Sequence, residues 1–393
     1  MRAALISIAA QPKDRATGQA VAIAGQKLAQ RQLGFALAAG CQRIIALGDG
    51  AAPEAIALRH AAEAAGARFQ VIKGGHGLLG AVRAADELLV LAPGLLAEDP
   101  NALAQLEKGN TVLVLPAGTG VAAGFERIDL ERAWAGALIV PGGLVERLAD
   151  LPDDSDPHAA LLRIALQARV PERRLEEAVL GEGSWSLARD ADTADELERT
   201  WLKRHLPVLP VGAVSARLSQ FALRNLAGRL LPSPSALPVS LGGAIAALVA
   251  AVAIAWKWSP ASGFALLAFG GLLAAFAAEL AHLRAAPFVR ETGRFNLLAA
   301  LPWLVDIALL GCGVAAIGGG WLQALFPPLM LVGGLHGTRI GDRKDPGAVL
   351  GDRPLLALVF AFAAAFGLAE PAIMLAAFLL VLLAAIGGAS RQE

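Results

Sequence analysis

Hydrophobic and polar positions divide the chain into two halves with different periods. In residues 1 to about 205, short apolar runs alternate with Ala-rich amphipathic stretches. Ala3–Ala9, Arg43–Leu47, Arg68–Ile72, Glu87–Leu91 and Thr111–Leu115 read as strands. Gly25–Ala39, Pro53–Ala65, Leu78–Ala85 and Pro100–Lys108 read as the helices between them. Short, continuously apolar strands alternating with helices require a parallel sheet covered on both faces. The predicted class of this half is α/β, and its ligands are expected beyond the carboxyl ends of the strands.

Residues 206–236 break that pattern. Pro207 and Pro210 interrupt the chain, and residues 213–231 place Leu218, Phe221, Leu226 and Leu230 near one helical face, with Arg217, Arg224 and Arg229 largely off it. This is the pattern of a helix lying in a membrane interface, or of an amphipathic helix packed on the preceding domain; the spanning segment that follows favours the interface. From 237 onward, apolar segments recur at roughly 237–256, 261–283, 297–317, 321–336, 354–369 and 371–387. Several approach the roughly 20 residues that cross a bilayer, and the fourth and last two are shorter. Arg284, Arg290, Arg294, Arg339, Arg343, Lys344, Arg353 and Arg391 fall on alternate loops or at the C-terminus. An excess of basic residues marks the cytoplasmic side, so an all-helical domain of six spans over 237–393, with both termini cytoplasmic, is expected in a bacterial inner membrane.

Composition narrows the partners. Lys plus Arg and Asp plus Glu number 34 each, giving zero formal net charge, which argues against nucleic acid. The two cysteines, Cys41 and Cys312, stand in unrelated contexts and supply neither a disulfide framework nor a zinc site. The first fourteen residues are too short for a span and read as a first strand and its loop.

Two stretches of the first half carry a resemblance. GQKLAQRQLGFALAAGCQRIIALGDG at 25–50 and GSWSLARDADTADELERTWLKRHL at 183–206 resemble the sugar-phosphate nucleotidyltransferases, which have a Rossmann-like fold. The resemblance implies a Gly-rich loop for nucleotide phosphates after the first strand and an acidic pair for magnesium after a later one. Here the first loop reads Ala9-Ala10-Gln11-Pro12-Lys13-Asp14-Arg15, with both glycines replaced and only Arg15 matching. The acidic position reads Leu91-Ala92-Pro93-Gly94. Lys13, Arg15 and Lys73 could still meet phosphates as point charges. Glu98 and Asp99 are expected to face solvent or cap the helix from Pro100, and Gly74-Gly75-His76-Gly77 to be a mobile turn.

In the second half, Ala274–Arg284 (AAFAAELAHLR) sets Glu279, His282 and Arg284 at the end of an apolar segment, where ionisable groups point to function. With six spans and a preceding basic helix, this stretch resembles the CDP-alcohol phosphotransferases, whose motif is D-x-x-D-G-x-x-A-R-x8-G-x3-D-x3-D. In that family the aspartates hold two divalent cations for an in-line displacement. Here Ala274 and Ala277 stand at the first two aspartates, Ala278 at the glycine and His282 at the arginine. Phe295 and Ala299, or about Leu298 and Pro302 when aligned on Gly293 and Asp306, stand at the last two. What survives is Glu279, His282 and Asp306 as weak catalytic candidates, with Arg339 and Arg343, beside Lys13 and Arg15, as weak phosphate-binding candidates. His282 and Arg284 are expected to reach back to the interface, and Asp306 to pair with a basic or hydroxyl group.

Both resemblances together point to fused enzymes of the inositol-phosphate cytidylyltransferase and phosphotransferase type. They imply magnesium, whose aspartate ligands are missing here. The expected function is an inactive accessory or regulatory subunit of phospholipid or polar-headgroup synthesis. Its expected partners are the bilayer, a CDP-alcohol or phospholipid, and a second copy or an active relative. The alternatives are an active but divergent phosphotransferase and a lipid-binding or transport module.

Overall fold

The structure, a computed structural model, describes residues 1–8, 21–152, 154–206, 209, 212–231, 233, 235–284, 297–337 and 350–389. Residues Met1–His205 form one compact unit, and the described residues from Leu206 onward belong to a second.

The first unit is built on a seven-stranded sheet. Its order is Glu172–Arg174, Thr111–Pro116, Arg132–Pro141, Glu87–Leu91, Arg2–Ser7, Arg43–Leu47 and Arg68–Ile72. Arg2–Ser7, in its interior, pairs in parallel with Arg43–Leu47 and Glu87–Leu91. Ala3, Ala4, Leu5 and Ile6 are fully buried, as a parallel strand covered on both faces requires. The sheet is mostly parallel; the departure is Arg132–Pro141, which runs antiparallel to both neighbours. Its run ALIV was not separable from a buried helix segment by periodicity, and the polar residues before it gave no turn signature.

Two helices begin or end elsewhere than the pattern predicts, for local reasons. Gly25–Ala39 contracts to Leu28–Ala38 because Ala22–Ile23 and Gln26–Lys27 pair as a tight hairpin. Its two central residues, Ala24 and Gly25, both have positive φ, the geometry that joins twisted antiparallel strands. Leu78–Ala85 contracts to Gly77–Ala81, after which Val82 is extended. Gly77 is required there, since a Cβ would lie 2.8 Å from that of Ile72.

The second unit is helical. Val214–Leu230 leads into Ala236–Lys257, Pro260–Arg284, Leu297–Ala316, Trp321–Gly337, Arg353–Ala365 and Ala369–Ala389. The last six are called the first to sixth apolar helices below. Three of them, the first, second and third, are long and apolar enough to cross a membrane, which makes this a membrane protein by length and composition. The fourth has 17 residues and the fifth 13, short of the roughly 20 that span, so the expected count of six is not supported by length and composition; three spans are.

Small residues set how closely these helices approach. A Cβ on Gly263 would lie 2.5 Å from that of Ala255, and one on Gly270 would lie 3.1 Å from that of Ala247, so the first and second apolar helices pack nearly backbone to backbone. Phe264 and Phe360 meet edge to face at 5.6 Å in the buried centre. The outward side is apolar: Phe269, Phe362, Phe366 and Phe378 are each more than half exposed, as in a surface that faces lipid. The amphipathic helix packs against the second apolar helix, within the membrane unit.

Candidate functional site

Lys13, Arg15, Arg339 and Arg343 lie outside the described residues, as does the loop Ala10–Gly18 where the first two were expected to act. In the first unit, the loop between Leu91 and Pro100 is filled by protein. Gln32, fully buried, donates through Nε2 to the carbonyls of Ala92 at 2.8 Å and Leu95 at 3.0 Å. Leu95–Ala97 pairs with Trp185–Leu187, and Trp185 Nε1 donates to the Ala135 carbonyl at 2.7 Å. Both stretches that carried the first resemblance therefore converge on this loop.

Asp99 caps the helix from Pro100, accepting from the Ala102 amide at 2.8 Å, as expected. Glu98 does not face solvent. It is 3 % exposed, ion-paired to buried Arg31, and accepts from Trp201 Nε1 at 2.9 Å. Arg31 also lies 4.6 Å above the Trp201 ring and donates to the Ile23 carbonyl. Burial pushes the Arg31 guanidinium below its ordinary value against the opposing pull of Glu98. His205 stacks on Trp201 at 4.0 Å, and burial lowers its pKa too. The cluster pins the last helix of the unit, Ala191–His205, to its core; it is a structural anchor, with every carboxylate oxygen engaged.

In the second unit, Asp306 is 2 % exposed on the third apolar helix. Its Oδ1 accepts from Arg353 Nε, and its Oδ2 from Arg353 Nη2 at 3.0 Å and pairs with His336 Nε2 at 2.8 Å. Trp303 stacks on His336 at 4.4 Å. A carboxylate at this depth needs such partners, since its desolvation is otherwise uncompensated. The expected pairing of Asp306 with a basic group is thus met by Arg353 and His336.

Asp352, 7 % exposed, precedes the fifth apolar helix and accepts from the Leu355 amide as its N-cap. It also accepts from the Ser215 amide at 2.7 Å and the Ser215 hydroxyl at 2.6 Å, joining the start of the amphipathic helix to the start of the fifth. Sequence reasoning passed over Asp352, although Asp-Arg-Pro before an apolar run is a helix-start signature. Ser215 and His336 carried no such signal.

Glu279 is half-buried and His282 exposed on the second apolar helix. Arg284 does not reach out to the interface. It turns to the carbonyls of Leu230, at 2.7 Å, Leu231 and Ser233, where the amphipathic helix ends. Among the described residues, no group of three or more His, Cys, Asp or Glu side chains is placed to hold a metal ion. Asp306 and Asp352 are committed to protein donors, so the described residues do not fit the magnesium that the resemblance implies.

Beside these residues lies a cavity of about 470 Å³. Ala274, Ala275, Ala278, Leu298, Leu301, Pro302, Val305 and Leu335 form its apolar wall, and Ser215, Asp352 and Arg353 its polar end. Two of the wall residues, Ala274 and Ala278, are positions at which the second resemblance expects motif residues, and Leu298 and Pro302 are two more when it is aligned on Gly293 and Asp306. The chain matches no protein-family model, and no curated protein matches it significantly.

Proposed function

We propose that the chain is a membrane-embedded, catalytically silent counterpart of the CDP-alcohol phosphotransferases, carrying a nucleotidyltransferase-like α/β unit, and that it acts as an accessory subunit in phospholipid or polar-headgroup synthesis. The observation that carries this reading is the cavity. When the end of the motif is aligned on Gly293 and Asp306, Ala274, Leu298 and Pro302 are three of the positions where the resemblance expects aspartates, and all three line one space with Ala278, where it expects glycine. Ala274 and Ala278 come from one placement of the motif, whose Ala277 is not part of the wall, and Leu298 and Pro302 from the alignment on Gly293 and Asp306. That these four share one wall favours that alignment over the one on Phe295 and Ala299. Their side chains cannot ligate a metal.

In this reading all six apolar helices lie in the bilayer, the shorter ones held against a shared core that includes Leu248, Leu309, Leu331, Phe360 and Leu380. The basic residues on alternate loops put both termini on the cytoplasmic side of a bacterial inner membrane. The partner is a second copy or an active relative.

The test is phosphoalcohol transfer by the full-length protein, reconstituted in lipid with a CDP-alcohol, an alcohol acceptor and Mg²⁺ or Mn²⁺. The expected result is product formation no faster than in protein-free vesicles. Transfer at ordinary enzymatic rates, abolished in Asp306→Asn, would instead establish a divergent active enzyme.

A further inference from the structure

The cavity has a direction. Its lining comes from the C-terminal halves of the second and fourth apolar helices, the N-terminal half of the third, and the first residues of the fifth and of the amphipathic helix. These parts meet at one end of the helical unit. Along the second apolar helix the wall runs from Ala278 to Gly271, roughly 9 to 20 Å in from Arg284 at 1.5 Å per residue. The polar residues Asp352 and Arg353 sit at the very start of the fifth helix, so the space is charged at the level of the helix ends and apolar further in.

The charged end is unequal in what it offers. Asp352 lines the cavity, but three donors, the Ser215 amide and hydroxyl and the Leu355 amide, are already aimed at it. Arg353 donates Nε and Nη2 to Asp306, while its Nη1 has no partner among the described residues. Its side chain is 24 % exposed, against 2 % for Asp306 behind it. The free edge of the guanidinium is therefore the group that the cavity presents to a ligand, and a planar fork of N–H donors suits phosphate oxygens.

From this geometry we infer that the cavity holds one intact phospholipid from the surrounding bilayer, its phosphate on Arg353 and part of an acyl chain against Ala274, Ala278, Leu301 and Val305, with no metal ion. A volume of about 470 Å³ is that of a ligand pocket and accommodates the phosphate region and the first part of one chain. The bilayer supplies both chemistries in one molecule. A free phosphate would leave the apolar wall without a partner, and a neutral diglyceride would leave Nη1 unpaired. The inference rests on the membrane reading of this unit and on the cavity, and is independent of whether any transfer activity exists.

The experiment is native mass spectrometry of the full-length protein, released from membranes in mild detergent, stripped of lipid, and titrated with phosphatidylglycerol, diacylglycerol or inorganic phosphate in EDTA. One phosphatidylglycerol per chain is expected, with diacylglycerol at least tenfold weaker and phosphate alone weaker still. Ala278→Trp, which fills the wall from an exposed position, is expected to weaken phosphatidylglycerol at least tenfold. Ala275→Leu on the same wall replaces it if the tryptophan variant does not elute as the wild type does. Equal retention by wild type and the filled variant, equal binding of diacylglycerol, or phosphate bound as tightly as the lipid would each overturn the inference. Recovery of the protein in the soluble fraction would overturn the membrane reading itself.

Discussion

At the residue scale, the chain resolves its buried charges by pairing them internally. Arg31 and Glu98 are 2 % and 1 % exposed at their side chains, with Trp201 donating to the same carboxylate. Removing one member of such a pair leaves an uncompensated buried charge and costs about 3–5 kcal/mol, whereas replacing both with apolar residues costs less and can be neutral. Arg31→Met alone is thus expected to lower the denaturant midpoint of the α/β unit sharply. Arg31→Met with Glu98→Leu should recover most of the loss. A double variant as unstable as the single one would show that the pair acts through something other than buried charge. None of this was legible in the sequence, because Glu98 finds Arg31 and Trp201 from 67 and 103 residues away. Asp306 differs: an acid inside an apolar segment must find a partner, so its pairing followed from its position, although the choice of Arg353 and His336 did not.

At the element scale, the predicted strands that begin at Arg43, Arg68, Glu87 and Thr111 are present, because each is a short apolar run bounded by turn residues. Arg132–Pro141 escaped because its apolar run could equally be a buried helix segment, and its antiparallel direction is set by the neighbours it joins in the sheet. Gly136, with φ of 82° and Ala92 and Leu95 against it, breaks its regularity from within. The membrane helices were readable as apolar segments; their closeness was readable only as a scatter of small residues. The structure separates those that matter. Gly263→Leu should push the first and second apolar helices apart and sharply reduce folded protein recovered from membranes, since a Cβ there meets Ala255 and the Ala251 carbonyl. Gly242→Ala, with nothing within 4 Å of its Cβ, should leave recovery unchanged or slightly improved. Equal recovery of the two variants would contradict close packing at Gly263. Arg284 shows the limit of pattern reading here: a basic residue at the end of an apolar helix ordinarily extends to the interface, but the three carbonyls at the end of the amphipathic helix take it instead.

At the scale of the whole molecule, an α/β unit and a membrane unit share one chain, and in each the buried carboxylates near the expected site, Glu98 in one and Asp306 and Asp352 in the other, are engaged by protein donors. In the α/β unit the loop at Ala92 is filled by Gln32 and the Glu98 cluster. In the membrane unit, alanine, leucine and proline line the cavity, and the carboxylates of Asp306 and Asp352 are bound by Arg353, His336 and Ser215. On the proposed reading this frame persists without a metal centre. The most direct measurement is calorimetric titration of a CDP-alcohol into the reconstituted full-length protein, once in Mg²⁺ and once in EDTA. The same affinity, or the same absence of binding, is expected in both. Binding that tightens tenfold or more with Mg²⁺ would contradict this reading, because such coupling requires a set of carboxylate ligands, and the described residues place no such group together.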